Sequence, residues 1–140
     1  MRKQFKSKVS YILLIVVFCA FYTLPIVEVI NNGLTIDSLE PVGALTLIYA
    51  FIVYLFFSAV YTIDNGFLII KLGFVYNKKI GINRIKSIKR TKNPISSPAP
   101  SFDRIEVCFD KYNSIIVSPK DKVGFVRELK NINPKIESDI

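Results

Sequence analysis

The chain has 140 residues, of which 51% are hydrophobic, and a formal net charge of +8; its mean hydropathy is +0.37. A length of this order allows one ordinary domain plus something small, and a soluble domain seldom combines such hydropathy with such charge, so the apolar residues must be concentrated. Histidine is absent, which excludes histidine-based acid–base catalysis, Ser-His and Cys-His nucleophiles and histidine metal sites within the chain.

Residues 1–8, MRKQFKSK, form a basic flank with Arg2, Lys3, Lys6 and Lys8. The uncharged run VSYILLIVVFCAFYTLPIV follows at 9–27, and a second uncharged run, PVGALTLIYAFIVYLFFSAVYTI, occupies 41–63. Each reaches the roughly 20 residues that a helix needs to cross about 30 Å of hydrocarbon. The expected arrangement is a transmembrane helix over 9–30, a short extracytoplasmic loop over 31–40 and a second transmembrane helix over 41–62. Three alternatives to a retained first span fit the residues less well. A buried soluble helix would show a polar stripe, and this run offers only Ser10, Tyr11, Tyr22 and Thr23. A signal peptide would need an A-x-A-like cleavage site after the apolar run, and none follows. A lipoprotein signal at Cys19 would need a small residue where Phe18 stands.

The loop between the runs, EVINNGLTIDSLE, contains Glu28, Asp37 and Glu40 and no cation. Because Lys and Arg in short flanks stay in the cytoplasm, both the N-terminus and everything after about Tyr61 are expected inside, at the plasma membrane. Cys19 falls in a span and Cys108 in a predicted strand, so no structural disulfide is expected.

From residue 59 onward the pattern turns to strands. YTIDNGFLII predicts two strands around a tight Asp64-Asn65-Gly66 turn, since Asn-Gly readily supplies positive φ. Leu68, Ile70 and Leu72 share a face opposite Lys71, and Ile80 and Ile82 share one in the next strand. Ile85 and Ile88 are three apart, which suggests one helical turn before the strand resumes. DRIEVCF is the clearest strand, with Ile105, Val107 and Phe109 facing one way and Arg104, Glu106 and Cys108 the other. SIIVS follows a short turn. SPKDKVGFVRELKNINP then predicts a helix with Ser118 as N-cap, Pro119 at N1 and Asp121 at N3. Phe125, Val126, Leu129 and Ile132 form its apolar stripe, and Pro134 ends it. The fold expected is α+β, about six antiparallel strands capped by one C-terminal helix, in a cytoplasmic domain attached to a two-helix hairpin; residues 135–140 are expected to be a tail. A domain of about 75 residues is marginal alone but plausible beside a membrane anchor.

That order of elements resembles the pleckstrin-homology (PH) superfold. More closely, YTIDNGFLIIKLG, IGINRIKSIKRTKNPISSPAPSFDRIEV and VSPKDKVGFVREL resemble the YyaB-like bacterial PH domains, small proteins with an N-terminal transmembrane hairpin. The resemblance covers 59–134, and its most specific stretch places Asn93, Pro94, Ser97, Pro98, Ala99, Ser101, Asp103 and Arg104 on the family motif, then Ser118, Pro119 and Lys120. It implies the fold better than the role.

No nucleotide loop and no zinc cluster is present. Asp103, Glu106 and Asp110 are read as solvated surface carboxylates, since Asp103 and Glu106 point to opposite faces of one strand. No enzyme and no cofactor is expected. The feature that stands out is a charge block: no acid between Asp64 and Asp103, but Lys71, Lys78, Lys79, Arg84, Lys86, Lys89, Arg90 and Lys92. Two readings stay open, an ordinary solvated face and a surface facing anionic phospholipid, where each Lys or Arg contributes on the order of 1 kcal/mol. Nucleic acid is disfavoured, since only Tyr76 and Phe102 are near for stacking. An exposed sheet edge offers a second use, a protein partner or a homo-oligomer, which by analogy with other anchored bacterial PH proteins suits a membrane-stress or bacteriocin-resistance assembly. The Pro- and Ser-rich stretch 93–101 is read as an ordered inter-strand loop stiffened by its prolines, with Arg104 binding either loop carbonyls or an anionic ligand.

Overall fold

In the computed structural model, residues 2–93 and 101–140 are described. A short strand β1 (Lys3–Lys6) precedes two helices, α1 (Tyr11–Asn32) and α2 (Ile36–Phe57). Then come β2 (Ala59–Asp64), β3 (Phe67–Leu72), β4 (Tyr76–Gly81), a 3₁₀ turn (Ile82–Arg84), β5 (Ile85–Thr91), β6 (Arg104–Phe109), β7 (Asn113–Val117), α3 (Lys122–Ile132) and β8 (Glu137–Ser138). The strands make two four-stranded sheets, ordered β1-β2-β3-β4 and β7-β6-β5-β8.

The two long helices differ from the expected spans in their ends. α1 starts at Tyr11 because the Ser10 hydroxyl accepts from Leu13 N–H. α2 starts five residues before Pro41, because Thr35 and Ser38 form a reciprocal capping box, and Asp37 sits favourably in its first turn. It also stops at Phe57, not 62. The end of the second apolar run is a buried strand, with Ala59, Tyr61 and Ile63 in the core, and hydropathy alone does not separate a membrane helix from the core strand that abuts it. Three residues, 33–35, therefore replace the expected ten-residue loop. The helices touch through Tyr22 and Thr46, whose hydroxyls lie 2.7 Å apart, and through Phe18, Tyr22 and Tyr49. In their most apolar windows they are only 11% and 0% buried. Helices this long and apolar, with uncovered sides, are suited to crossing a membrane and unlike the core helix of a soluble domain.

Most expected strand faces are in place. Leu68, Ile70, Ile80, Ile82, Ile105, Val107 and Phe109 are all buried, and they join residues of β2, β5, β7 and α3 in one cluster. Asn65 and Gly66 both take positive φ, 47° and 77°, the backbone of a type I′ hairpin turn. The helical turn expected near Ile85 is the 3₁₀ turn before it. The three-residue spacing of Ile85 and Ile88 has a different cause, a bulge in the β5–β6 register between Ile85 and Ser87 that lets both isoleucines face inward.

Two elements were not expected. Residues 3–6 of the basic flank form β1, which pairs antiparallel with β2 from Lys3↔Ile63 to Lys6↔Val60 and rests Phe5 edge-on against Phe125, centroids 5.4 Å apart. Residues 137–138 of the expected tail form β8, parallel to β5, and Ile136 beside it is 2% exposed.

The helix cap is also corrected. α3 begins at Lys122, and Asp121, not Ser118, is its N-cap, accepting from Gly124 N–H at 2.9 Å. Ser118 is held elsewhere. Its carbonyl accepts from Lys8 N–H at 2.7 Å, its hydroxyl lies 2.9 Å from that of Ser7, and its N–H donates to the Tyr61 hydroxyl at 3.1 Å. Pairing with the N-terminal segment thus keeps 118–120 out of the helix and delays its start by about one turn. Phe125, Val126 and Leu129 are buried as expected, whereas Ile132 is 42% exposed.

The Tyr61 hydroxyl is the hub of this junction, so Tyr61→Phe leaves the buried Ser118 N–H without its acceptor. The expected cost is about 1–3 kcal/mol, read as a lower urea midpoint for the full chain in detergent; an unchanged midpoint would show that the junction does not depend on this bond.

Candidate functional site

Strand register divides the domain into two ends. At the helix-proximal end, Lys6 pairs with Val60, Val60 with Lys71 and Lys71 with Asn77, and Ser7 N–H donates to Ala59 carbonyl at 3.1 Å. From there the chain enters α1 at Tyr11, and α2 ends at Phe57. Val117, Ser118 and the start of α3 lie at the same end, because Lys120 N–H donates to Lys6 carbonyl at 2.9 Å. The far end holds the 64–67 turn, Arg84 and the β6–β7 turn.

The basic block is split between these ends. Lys71 is exposed and helix-proximal. Lys78 and Lys79 lie on β4, the outer strand of its sheet, where each caps an aromatic ring: Lys78 Nζ is 5.1 Å from the Phe109 centroid and Lys79 Nζ 4.0 Å from that of Phe67. Lysines on an outer strand also discourage edge-to-edge pairing. Arg84 grips Asp110 through both carboxylate oxygens, Nε donating at 2.7 Å. That bond holds the Asp110 carboxyl below its ordinary range and raises the Arg84 guanidinium. Lys86 is exposed on the bulge, and Lys89 stands opposite Glu106 in the β5–β6 ladder. The Arg90 N–H donates to the Asp139 carboxylate at 3.1 Å. Across β5 the chain returns by about 20 Å, so Arg90 and Lys92 approach the helix-proximal end while Arg84 and Lys86 remain far from it.

A second set of cations, apart from Lys71, gathers where the helices enter. Lys6, Lys8 and Lys120 line an open groove of about 530 Å³ whose other walls are Ser7, Val9, Tyr11, Phe57, Ala59 and Val60. Its walls are thus apolar toward the helix ends and cationic toward the domain. Beside it, Asp103 accepts from Lys8 Nζ at 3.0 Å and from Lys122 Nζ. The Lys122 bond, then the Lys8 bond, depress the Asp103 carboxyl below its ordinary value.

The described flanks of the motif loop, Asn93 and Ser101–Arg104, lie at the same end. Arg104 is 7% exposed, not outward-facing. Its Nε donates to Ser101 carbonyl and its Nη1 to Asn93 carbonyl at 3.2 Å, so it straps the two described ends of the loop together. Of the two uses considered for Arg104, loop-carbonyl binding is the one the geometry contains. Ser101 is buried and its hydroxyl accepts from Asp103 N–H at 3.2 Å. Pro94, Ser97, Pro98 and Ala99 lie outside the described residues. Sequence reasoning used Lys6 and Lys8 only as an orientation signal; the cue to their site is the alternation in KQFK, too short to stand out. Among the described residues, no three His, Cys, Asp or Glu side chains gather as a metal site.

The profile of the family described as bacterial PH domain matches residues 59–133, more than half of the chain. No curated protein and no solved structure gives a significant match.

Two substitutions separate the roles of neighbouring charges. Arg104→Ala leaves loop carbonyls without donors and is expected to cost about 1–3 kcal/mol, whereas Asp103→Asn, which removes two solvent-exposed pairs, should cost no more than about 1 kcal/mol. The Asp103 carboxyl is depressed, so its contribution is present above the unfolded value of about 3.9 and lost only as pH falls through the lower folded value. Urea midpoints of the two variants, with Asp103→Asn converging on wild type as pH falls through the depressed folded value, check this; equal losses at neutral pH would contradict it.

Proposed function

The chain belongs to the bacterial PH domain family, and from that premise we propose that it is a non-catalytic, two-pass membrane protein that holds its PH-like domain against the cytoplasmic face of the plasma membrane, where helix-proximal lysines dock anionic phospholipid headgroups. Acid–base patterning of the flanks supports the orientation, and the likeness of the 93–104 motif to the YyaB-like subgroup supports the anchored architecture. The observation that carries the reading is the groove of Lys6, Lys8 and Lys120 at the helix ends. Its position matters more than the number of cations. Charges at the mouth of two membrane-spanning helices lie within a Debye length, about 10 Å, of the headgroups, and each contributes on the order of 1 kcal/mol there. Arg84, neutralised by Asp110 at the far end, does not.

The second reading, a protein-interaction or self-assembly module, draws on β4, an outer strand on which a partner strand could be added. Lys78 and Lys79 on that strand weigh against it.

A titration with fluorescent phosphatidylglycerol in neutral detergent distinguishes them. Lys6→Glu combined with Lys120→Glu should weaken binding at least tenfold at low salt, with the difference shrinking as salt rises, while Arg84→Glu combined with Lys86→Glu leaves affinity within twofold. Equal effects of the two pairs, or none from the first, would defeat the lipid-docking reading, and a dimer lost on altering β4 would favour the second.

A further inference from the structure

The β3–β4 turn, residues 73–75, reads GFV, apolar where a turn is usually polar. Phe74 is 79% and Val75 56% exposed, yet Phe74 is not isolated. Its ring centroid lies 6.1 Å from that of Phe51 and 6.1 Å from that of Tyr54, both on α2. Gly73 permits the approach: it takes φ 54°, and a Cβ there would lie 3.1 Å from Tyr54 Cε1. Its N–H also points to Ser58 carbonyl at 3.5 Å.

The depth of this contact is informative. Phe51 and Tyr54 precede the last residue of α2, Phe57, by about 9 Å and about 5 Å along the helix axis. Instead of stopping at the helix end, the turn therefore reaches back alongside the last two turns of α2. On a membrane-spanning helix that interval is the boundary between headgroups and acyl chains, the depth of about 5–10 Å at which interfacial apolar faces bury. Tyr54 is of the residue type that marks this boundary, and Lys71, exposed on β3 just before the turn, lies at the same end to meet the headgroups.

We propose that residues 73–75 are a hydrophobic wedge inserted into the leaflet that α2 crosses, with lipid acyl chains covering Phe74 and Val75. The wedge is a third attachment to the bilayer, after α1 and α2, and it fixes the tilt of the domain. The inference rests on α2 crossing the membrane and does not rest on anionic-lipid docking.

The chain contains no tryptophan, so each single substitution creates a unique emitter. Full-length Phe74→Trp, Ile48→Trp in the middle of α2 and Tyr112→Trp at the far end, where Tyr112 is 88% exposed, would be reconstituted into zwitterionic vesicles with acyl-brominated phosphatidylcholine. The expected result is strong quenching for Ile48→Trp and Phe74→Trp and several-fold less for Tyr112→Trp. Quenching of Ile48→Trp without that of Phe74→Trp overturns the wedge while leaving the membrane anchor intact. Loss of both means that α2 does not cross the bilayer, which removes the premise and with it the wedge. Phe74→Trp shielded from aqueous acrylamide but unquenched by the bromolipid means a second copy covers the turn, and also overturns it. Val75→Trp repeats the test should Phe74→Trp fail to fold.

Discussion

The antiparallel pairing of Lys3–Lys6 with Ala59–Asp64 is the constraint on which the rest of the architecture depends. One strand precedes the helical hairpin and the other follows it, so their pairing ties both open ends of the hairpin to one sheet. α1 and α2 must then run antiparallel, and the 33–35 connection must lie at the opposite pole. The pairing also extends beyond the sheet. Ser7 bridges to Pro119, and the Ser7, Tyr61 and Ser118 hydroxyls form one small network. The start of α3 is thereby joined to the start of α1. A domain fixed to its anchor at β2 alone could pivot about Ser58; one held at β1, β2 and residues 118–120 has little freedom to do so.

This junction also decides which charges matter. A block of eight cations in the sequence suggests a single basic surface, but the strands carry its members to opposite ends, and several are already engaged with Asp110, Phe109 or Phe67. The cations best placed for a bilayer belong to three separate stretches: Lys6 and Lys8 before α1, Lys71 on β3, and Lys120 before α3. Asp103 moderates that group by engaging Lys8 and Lys122. A PH-like scaffold with its attachment at this end places the apolar 73–75 turn, the lysine groove and the Asn93–Arg104–Ser101 strap together on the side from which the helices emerge.

Much of the fold was legible because burial imposes a period. The alternation of Ile105, Val107 and Phe109 and the stripe of Phe125, Val126 and Leu129 predicted their elements directly, and Asn65-Gly66 predicted its turn. Failures have a common physical origin, local signals overridden by partners distant in sequence. KQFK reads as a basic flank until β2, some 55 residues later, offers it a ladder. Ser118 followed by Pro119 has the chemistry of a helix start, but backbone bonds to Lys6 and Lys8 claim that segment first. Glu137–Ser138 is too short to show any period. Ile85 and Ile88 have helical spacing because a bulge, invisible in sequence, resets the register. The candidate site was therefore harder to read than the fold, being assembled from segments far apart in sequence that β1, β2 and the 118–120 segment bring together.

With α1 and α2 spanning the bilayer, the β1–β2 pairing requires β1 and the domain to share one side of the membrane, opposite the 33–35 connection. Cysteine accessibility tests it most directly: in a background with Cys19 and Cys108 replaced by serine, single variants Arg2→Cys, Leu34→Cys and Tyr112→Cys are exposed to a membrane-impermeant maleimide in intact bacterial cells. With the cytoplasmic orientation proposed above, Leu34→Cys is labelled in intact cells, and Arg2→Cys and Tyr112→Cys are labelled only after permeabilisation. Labelling of Arg2→Cys and Tyr112→Cys from opposite sides would contradict this requirement outright, because β1 and β2 could not then pair.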